Sequence, residues 1–135
     1  MTSHADPARL ATDVRALEGE RHPRTSPGGL AKAADYIERE LGAAGLVAER
    51  RPFSFGGETH INVAAVKRGA DPERPRLLVG AHFDSVAGTP GADDNASGVA
   101  GLIELGHMLG KSRLPGTVEL VAYSLEEPPY DRTRQ

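Results

Sequence analysis

Two short apolar runs, Leu77-Leu78-Val79-Gly80-Ala81 and Val118-Glu119-Leu120-Val121-Ala122-Tyr123, constrain this chain most, because each is followed at once by groups that titrate or bind cations. The first lacks polar alternation, as expected of a strand covered on both faces in the middle of a sheet. It delivers His82 and Asp84 to the strand's end. The second delivers Glu126 and Glu127, and Pro128-Pro129 forbids its continuation. Between them, apolar positions at Val99, Leu102, Ile103 and Leu109 predict a helix over 96–109, with Asp94 or Asn95 near the N-cap and Gly110 at its end. Strand, helix, strand implies a right-handed crossover and a parallel central pair. Open α/β sheets of this kind carry their chemistry in the crevice outside the carboxyl ends of the strands.

Upstream, Leu10, Val14 and Leu17 fall at helical spacing over 7–17, with Pro7 as first residue. The charged stretch from Glu18 to Arg24 reads as a loop. Ser26-Pro27 predicts a second helix opened by a capping hydroxyl, with Leu30, Ala34, Ile37 and Leu41 on its buried face and Gly42 and Gly45 stopping it. Val47 to Phe55 and Ile61 to Val66 read as a hairpin turned by Gly56-Gly57, and Pro52 places the first strand at a sheet edge.

At 135 residues the chain is expected to form one domain. A net charge of −3, with both signs mixed along the chain, offers no basic stripe for phosphates, so nucleic acid is not an expected partner. No apolar segment approaches the roughly 20 residues of a membrane span. Met1 to Pro7 lacks the basic and apolar regions of a secretion signal, and the expected location is cytoplasmic. Cysteine is absent, so a metal would have to be held by His, Asp and Glu.

Those residue types gather at three element ends. His82 offers an imidazole, and Asp84, two residues on, points to the same side and can orient that ring or bind a metal itself. Asp93 and Asp94 precede a helix, where backbone N–H groups favour anions. Glu126-Glu127 offers one ligand and one general base. Singly, each has a plainer use as a hydrogen bond, a cap or a solvated loop; together in one small domain they predict a metal site. Ser97 and Ser124 lack a Gly-x-Ser-x-Gly elbow, and the glycines of 88–98 lack a phosphate loop's Gly-Lys-Ser/Thr ending. A nucleotide-binding domain would need a Gly-rich turn where His82-Phe83-Asp84 stands. His4, His22, His60 and His107 are isolated and read as surface or structural residues.

Three blocks, Ala81-His82-Phe83-Asp84-Ser85, Pro90-Gly91-Ala92-Asp93-Asp94-Asn95-Ala96-Ser97-Gly98-Val99 and Ser124-Leu125-Glu126-Glu127-Pro128-Pro129-Tyr130, resemble the co-catalytic di-zinc exopeptidases typified by bacterial leucyl aminopeptidases, which include glutaminyl cyclases and plasma glutamate carboxypeptidases. The resemblance implies an α/β three-layer sandwich with a mixed, centrally parallel sheet flanked by helices, and this chain as the N-terminal portion of its catalytic domain. It implies two Zn2+ ions, one on His82 and one on Glu127, bridged by Asp94, with a cis peptide after Asp94. Asp84 would orient His82, and Glu126 would be the general base on a metal-bridging water, acting on peptides with a free N-terminus.

Members of that family continue well past the third block and carry a further Asp ligand and a final His ligand there. With the chain ending at Gln135, each zinc would keep two protein ligands, and Asp131 is the one acid left near the end. The expectations are therefore an aminopeptidase or, alternatively, a non-catalytic remnant with weak or no metal binding. The remnant would self-associate through an exposed sheet edge, placed at strand 118–123.

Overall fold

The computed structural model describes residues 4–130, and Asp131, the candidate substitute ligand, lies outside them. Helix α1 (Pro7–Leu17) starts where expected, its first N–H groups taken by the Asp6 side chain, which accepts from Ala8 N at 2.9 Å. Helix α2 (Pro27–Ala43) buries Ala33, Ala34, Ile37 and Leu41 and runs through Gly42 before a left-handed Gly45 turns it away. Ser26 does not cap it: its hydroxyl donates to the Glu20 carbonyl at 2.9 Å, tying the helix start to the preceding loop instead.

Strands β1 (Val47–Phe55) and β2 (Glu58–Lys67) form the expected hairpin, paired from Val47 opposite Val66 to Phe55 opposite Glu58. β3 (Leu77–His82), α3 (Gly98–Gly110) and β4 (Val118–Tyr123) form the crossover unit, with β3 and β4 parallel and His82 level with Tyr123. The sheet order is β1-β2-β4-β3, mixed as expected. Two expectations change. β4 lies inside the sheet between β2 and β3, and β3 is the edge among the described residues. Leu77 and Leu78 are accordingly 60% and 53% exposed, although their unbroken apolarity reads as two-sided burial.

Alternation decides which face is packed. Val63 and Ala65 of β2, Leu120 and Ala122 of β4, and partly buried Val79 and Ala81 of β3 all join one cluster with Ile37, Leu41, Val99 and Ile103 of the helices. The helices therefore pack on that face of the sheet. Each fully buried Leu or Ile there contributes roughly 1.5–3 kcal/mol.

Helix α1 is fastened by a charge in that packing. Glu104 of α3 is 3% exposed and accepts from Asp6 N at 2.7 Å and from Arg9 Nη2 at 3.2 Å. The Arg9 hydrogen bond, outweighing burial, holds the Glu104 carboxyl below its ordinary value. A carboxyl depressed in the folded state stabilises above its unfolded pKa and loses that contribution as pH falls through the folded value. Glu104→Gln is expected to cost about 1.5–3 kcal/mol at neutral pH, with the difference from the parent shrinking in acid, as urea denaturation at several pH values would read.

Candidate metal centre

Strand β3 ends at His82 and the chain turns inward, so Phe83, Asp84 and Ser85 are all buried. His82 Nδ1 lies 3.4 Å from Asp84 Oδ1 and 3.3 Å from the Asp84 carbonyl oxygen, and Asp84 Oδ2 accepts the Glu127 N–H at 2.9 Å. One fully buried carboxylate thus holds the imidazole from one strand and the Glu127 backbone from beyond the next. Burial pushes the Asp84 pKa up, but hydrogen bonds from His82 and from the Glu127 and Glu126 backbone outweigh it, and the net shift is downward. Chiefly through Asp84, with Glu126 and Asp94 adding, His82 is raised to about 9 against the opposing effect of burial.

A wide turn, Ala92–Ser97, brings Asp94 to the same point. Gly91 opens it with φ +54°, Ala96 N–H donates to the Gly91 carbonyl five residues back at 3.0 Å, and the Asp94–Asn95 peptide is cis. Helix α3 proper begins only at Gly98, whose N–H is taken by Asn95 Oδ1 at 2.9 Å. Asn95 is thus the capping side chain, while Asp94 is left facing His82, with Oδ1 2.9 Å from His82 Nε2. After β4, Leu125 takes φ 64°, a left-handed conformation costing a branched residue about 1–2 kcal/mol. The reversal sends Glu126 and Glu127 to different environments: the Glu126 side chain is 59% exposed, 3.7 Å from His82 Nε2, and Glu127 is buried.

One donor atom each from His82, Asp94 and Glu127 lie within 4.8 Å of one another. Glu127 Oε1 is buried and has no hydrogen-bond partner among the described residues. Burial first, then the Asp94, Glu126 and Asp84 charges, push the Glu127 carboxyl up against the opposing pull of His82. A buried carboxylate with one oxygen unpartnered, beside a second carboxylate and an imidazole, is the environment a hard or borderline divalent cation relieves, and the three residues are donors of the kind such a cation takes. Asp93 stays outside the cluster: it is exposed, and its carbonyl accepts the Ser97 hydroxyl at 2.6 Å.

Beside the cluster lies a groove of about 720 Å³, walled by Phe53, Phe55, Tyr123 and Tyr130 and closed toward the cluster by His82, Asn95 and Glu126. Two residues of the charged 18–24 loop also serve this region. His22 is 3% exposed, accepts Arg24 N–H on Nδ1 at 3.2 Å, and therefore donates from Nε2 to the Pro128 carbonyl at 3.2 Å, holding the strand of chain that carries Glu127. Arg21 is 2% exposed, with its guanidinium wholly on backbone carbonyls. Burial lowers its pKa and Asp84 opposes that. No periodicity marks either residue, because both act on backbone atoms far away in the chain.

Residues 62–130, which contain every residue of the cluster, match the model of peptidase family M28. The chain belongs to peptidase family M28. It is 38% identical over 140 residues to YfbL of Escherichia coli, an uncharacterised protein, covering 96% of this chain and 43% of that one. A protein of Leptosphaeria maculans named as a probable zinc metalloprotease is 39% identical over 127 residues, with 87% of this chain and 26% of its own length covered. Among solved structures, a leucine aminopeptidase precursor from Bacteroides thetaiotaomicron superposes with a TM-score of 0.74 at 19% identity, over 94% of this chain and 49% of that one. That likeness shows a shared fold. The chain spans less than half the length of each of these proteins.

Proposed function

We propose that this chain carries the first part of a zinc exopeptidase centre that hydrolyses the N-terminal bond of peptides, with His82, Asp94 and Glu127 as metal ligands and Glu126 as general base. The observation that carries the reading is the convergence of those three donors, one of them from a buried Glu127 with an oxygen that has no hydrogen-bond partner, beside the exposed Glu126 carboxylate. Membership of M28 and the name of the Leptosphaeria maculans relative support zinc and peptide hydrolysis. We read Asp94 as shared between two ions, His82 serving one and Glu127 the other. Zinc, when bound, supplies Lewis acidity toward a peptide carbonyl and a counter-charge to the acids around it.

The chain's own residues do the remainder. Asp84 orients the imidazole ring, and its acceptance of the Glu127 N–H ties that residue's backbone to the end of β3. Glu126, exposed and lining the groove, would take a proton from an attacking water and return it to the leaving amine. The apolar groove wall gives the substrate somewhere to lie.

Zinc titration of the purified chain by calorimetry tests this, with Glu127→Ala as the comparison. Saturable binding weakened at least about tenfold by the substitution is expected; equal binding by both proteins overturns the ligand assignment. A second reading, a non-catalytic chain that self-associates, is favoured by the open edge of β3 with Leu77 and Leu78 exposed. Sedimentation across a concentration series decides it, since a monomer at every concentration rejects association.

A further inference from the structure

We infer that Arg21 is a positioning residue of the metal centre, setting the separation between the end of β3 and the turn that carries Asp94; as a statement about metal binding, it rests on the function proposed above. Its guanidinium bridges three segments. Nε donates to the carbonyl of Phe83, which stands between His82 and Asp84, at 2.7 Å. Nη2 donates to the Gly91 carbonyl at 2.8 Å, the same oxygen that closes the wide turn by accepting Ala96 N–H. Nη1 reaches the carbonyls of Leu17, Gly19 and Pro90. The Arg21 backbone is clasped as well, its N–H donating to Ser85 Oγ and its carbonyl accepting Ser85 N–H, both at 2.9 Å.

A rigid fork with five donors can hold two carbonyls at a fixed spacing; an ammonium is a single point on a flexible stem and cannot. The site is also fitted to the fork. A Cβ on Gly91 would come within 2.7 Å of Arg21 Nη2 and 2.7 Å of Ser85 Cβ, so the turn and the guanidinium are in direct contact. His82 and Asp94 are therefore spaced by one side chain that touches neither of them and would touch no ion.

The test compares Arg21→Lys, Ser85→Ala and Glu104→Gln with the parent, by zinc calorimetry and by amide hydrogen exchange without metal. Glu104 makes none of the hydrogen bonds of Arg21 or of the 92–97 turn, so its variant loses other contacts. Arg21→Lys is expected to weaken zinc binding about 10–100-fold. It should also speed exchange of the Ala96 amide at least about tenfold while Ile103 and Leu120 keep their parent rates. Glu104→Gln should leave both zinc affinity and Ala96 exchange unchanged. Parent-like affinity and exchange in Arg21→Lys, or equal losses in Glu104→Gln, overturn the inference. If Arg21→Lys does not fold, Ser85→Ala decides: faster Ala96 exchange supports the role and an unchanged rate rejects it. A parent chain that binds no zinc refutes the metal reading alone, and Ala96 exchange then decides the role of Arg21.

Discussion

On the proposed function, replacing Glu126 by glutamine is expected to lower peptide hydrolysis by about 10²–10⁴-fold while leaving zinc affinity within a factor of about two. The separation of effects follows from position. Glu126 is the exposed acid of the pair, 3.7 Å from His82 Nε2 on the groove side, and it is not one of the three donors that converge. Glutamine keeps its size and its place on the Leu125 reversal but cannot accept and return a proton. Hydrolysis of an N-terminal chromogenic amide, measured alongside zinc binding, checks both halves. Unchanged turnover would remove Glu126 from the mechanism, and lost zinc would make it a ligand.

The second large effect is expected at Asp84. This carboxylate is 0% exposed and lies between His82 and the Glu127 backbone. Asp84→Asn puts an amide where one carboxylate oxygen now faces His82 Nδ1, releasing the ring from its orientation. Zinc affinity should fall about 10–100-fold, as for other groups that orient a ligating histidine. Asp84→Ala additionally leaves the Glu127 N–H without its acceptor and should cost roughly 1.5–3 kcal/mol of stability per charge-assisted bond lost, measured by denaturant unfolding. Full zinc affinity in Asp84→Asn would show that the ring is held without the carboxylate, by the Asp84 carbonyl and packing.

The site could be read in the sequence to a large extent because its donors sit where regular elements stop, and apolar periodicity locates such stops well. The 118–123 run predicts β4 and so predicts where Glu126 and Glu127 emerge; the 77–81 run does the same for His82 and Asp84. Other features follow from atoms that a residue pattern does not report. Arg21 and His22 look like solvated loop because their partners are carbonyl oxygens of Phe83, Gly91 and Pro128, which any residue type would supply. The Ser26 hydroxyl donates to the Glu20 carbonyl and accepts no N–H of its own helix. The wide turn at 92–97 needs a left-handed Gly91 and non-helical Asp94 and Asn95, so the expected helix start at 96 moves to Gly98. The edge position of β3 was hidden for a different reason: an apolar run states what a strand can cover, and its neighbours are set by topology.

The crossover unit has one more consequence. Because β3 and β4 are parallel neighbours, His82 and Glu127 are the two ends of a long excursion that includes the whole of α3, brought mouth to mouth at one side of the sheet. On the proposed function, metal held at His82 and at Glu127 and joined through Asp94 would fasten that excursion shut, and the chain entropy removed belongs to the unfolded state, where the ends would otherwise wander freely. The cation would thus be a removable staple, and its concentration would set how tightly the crossover is closed.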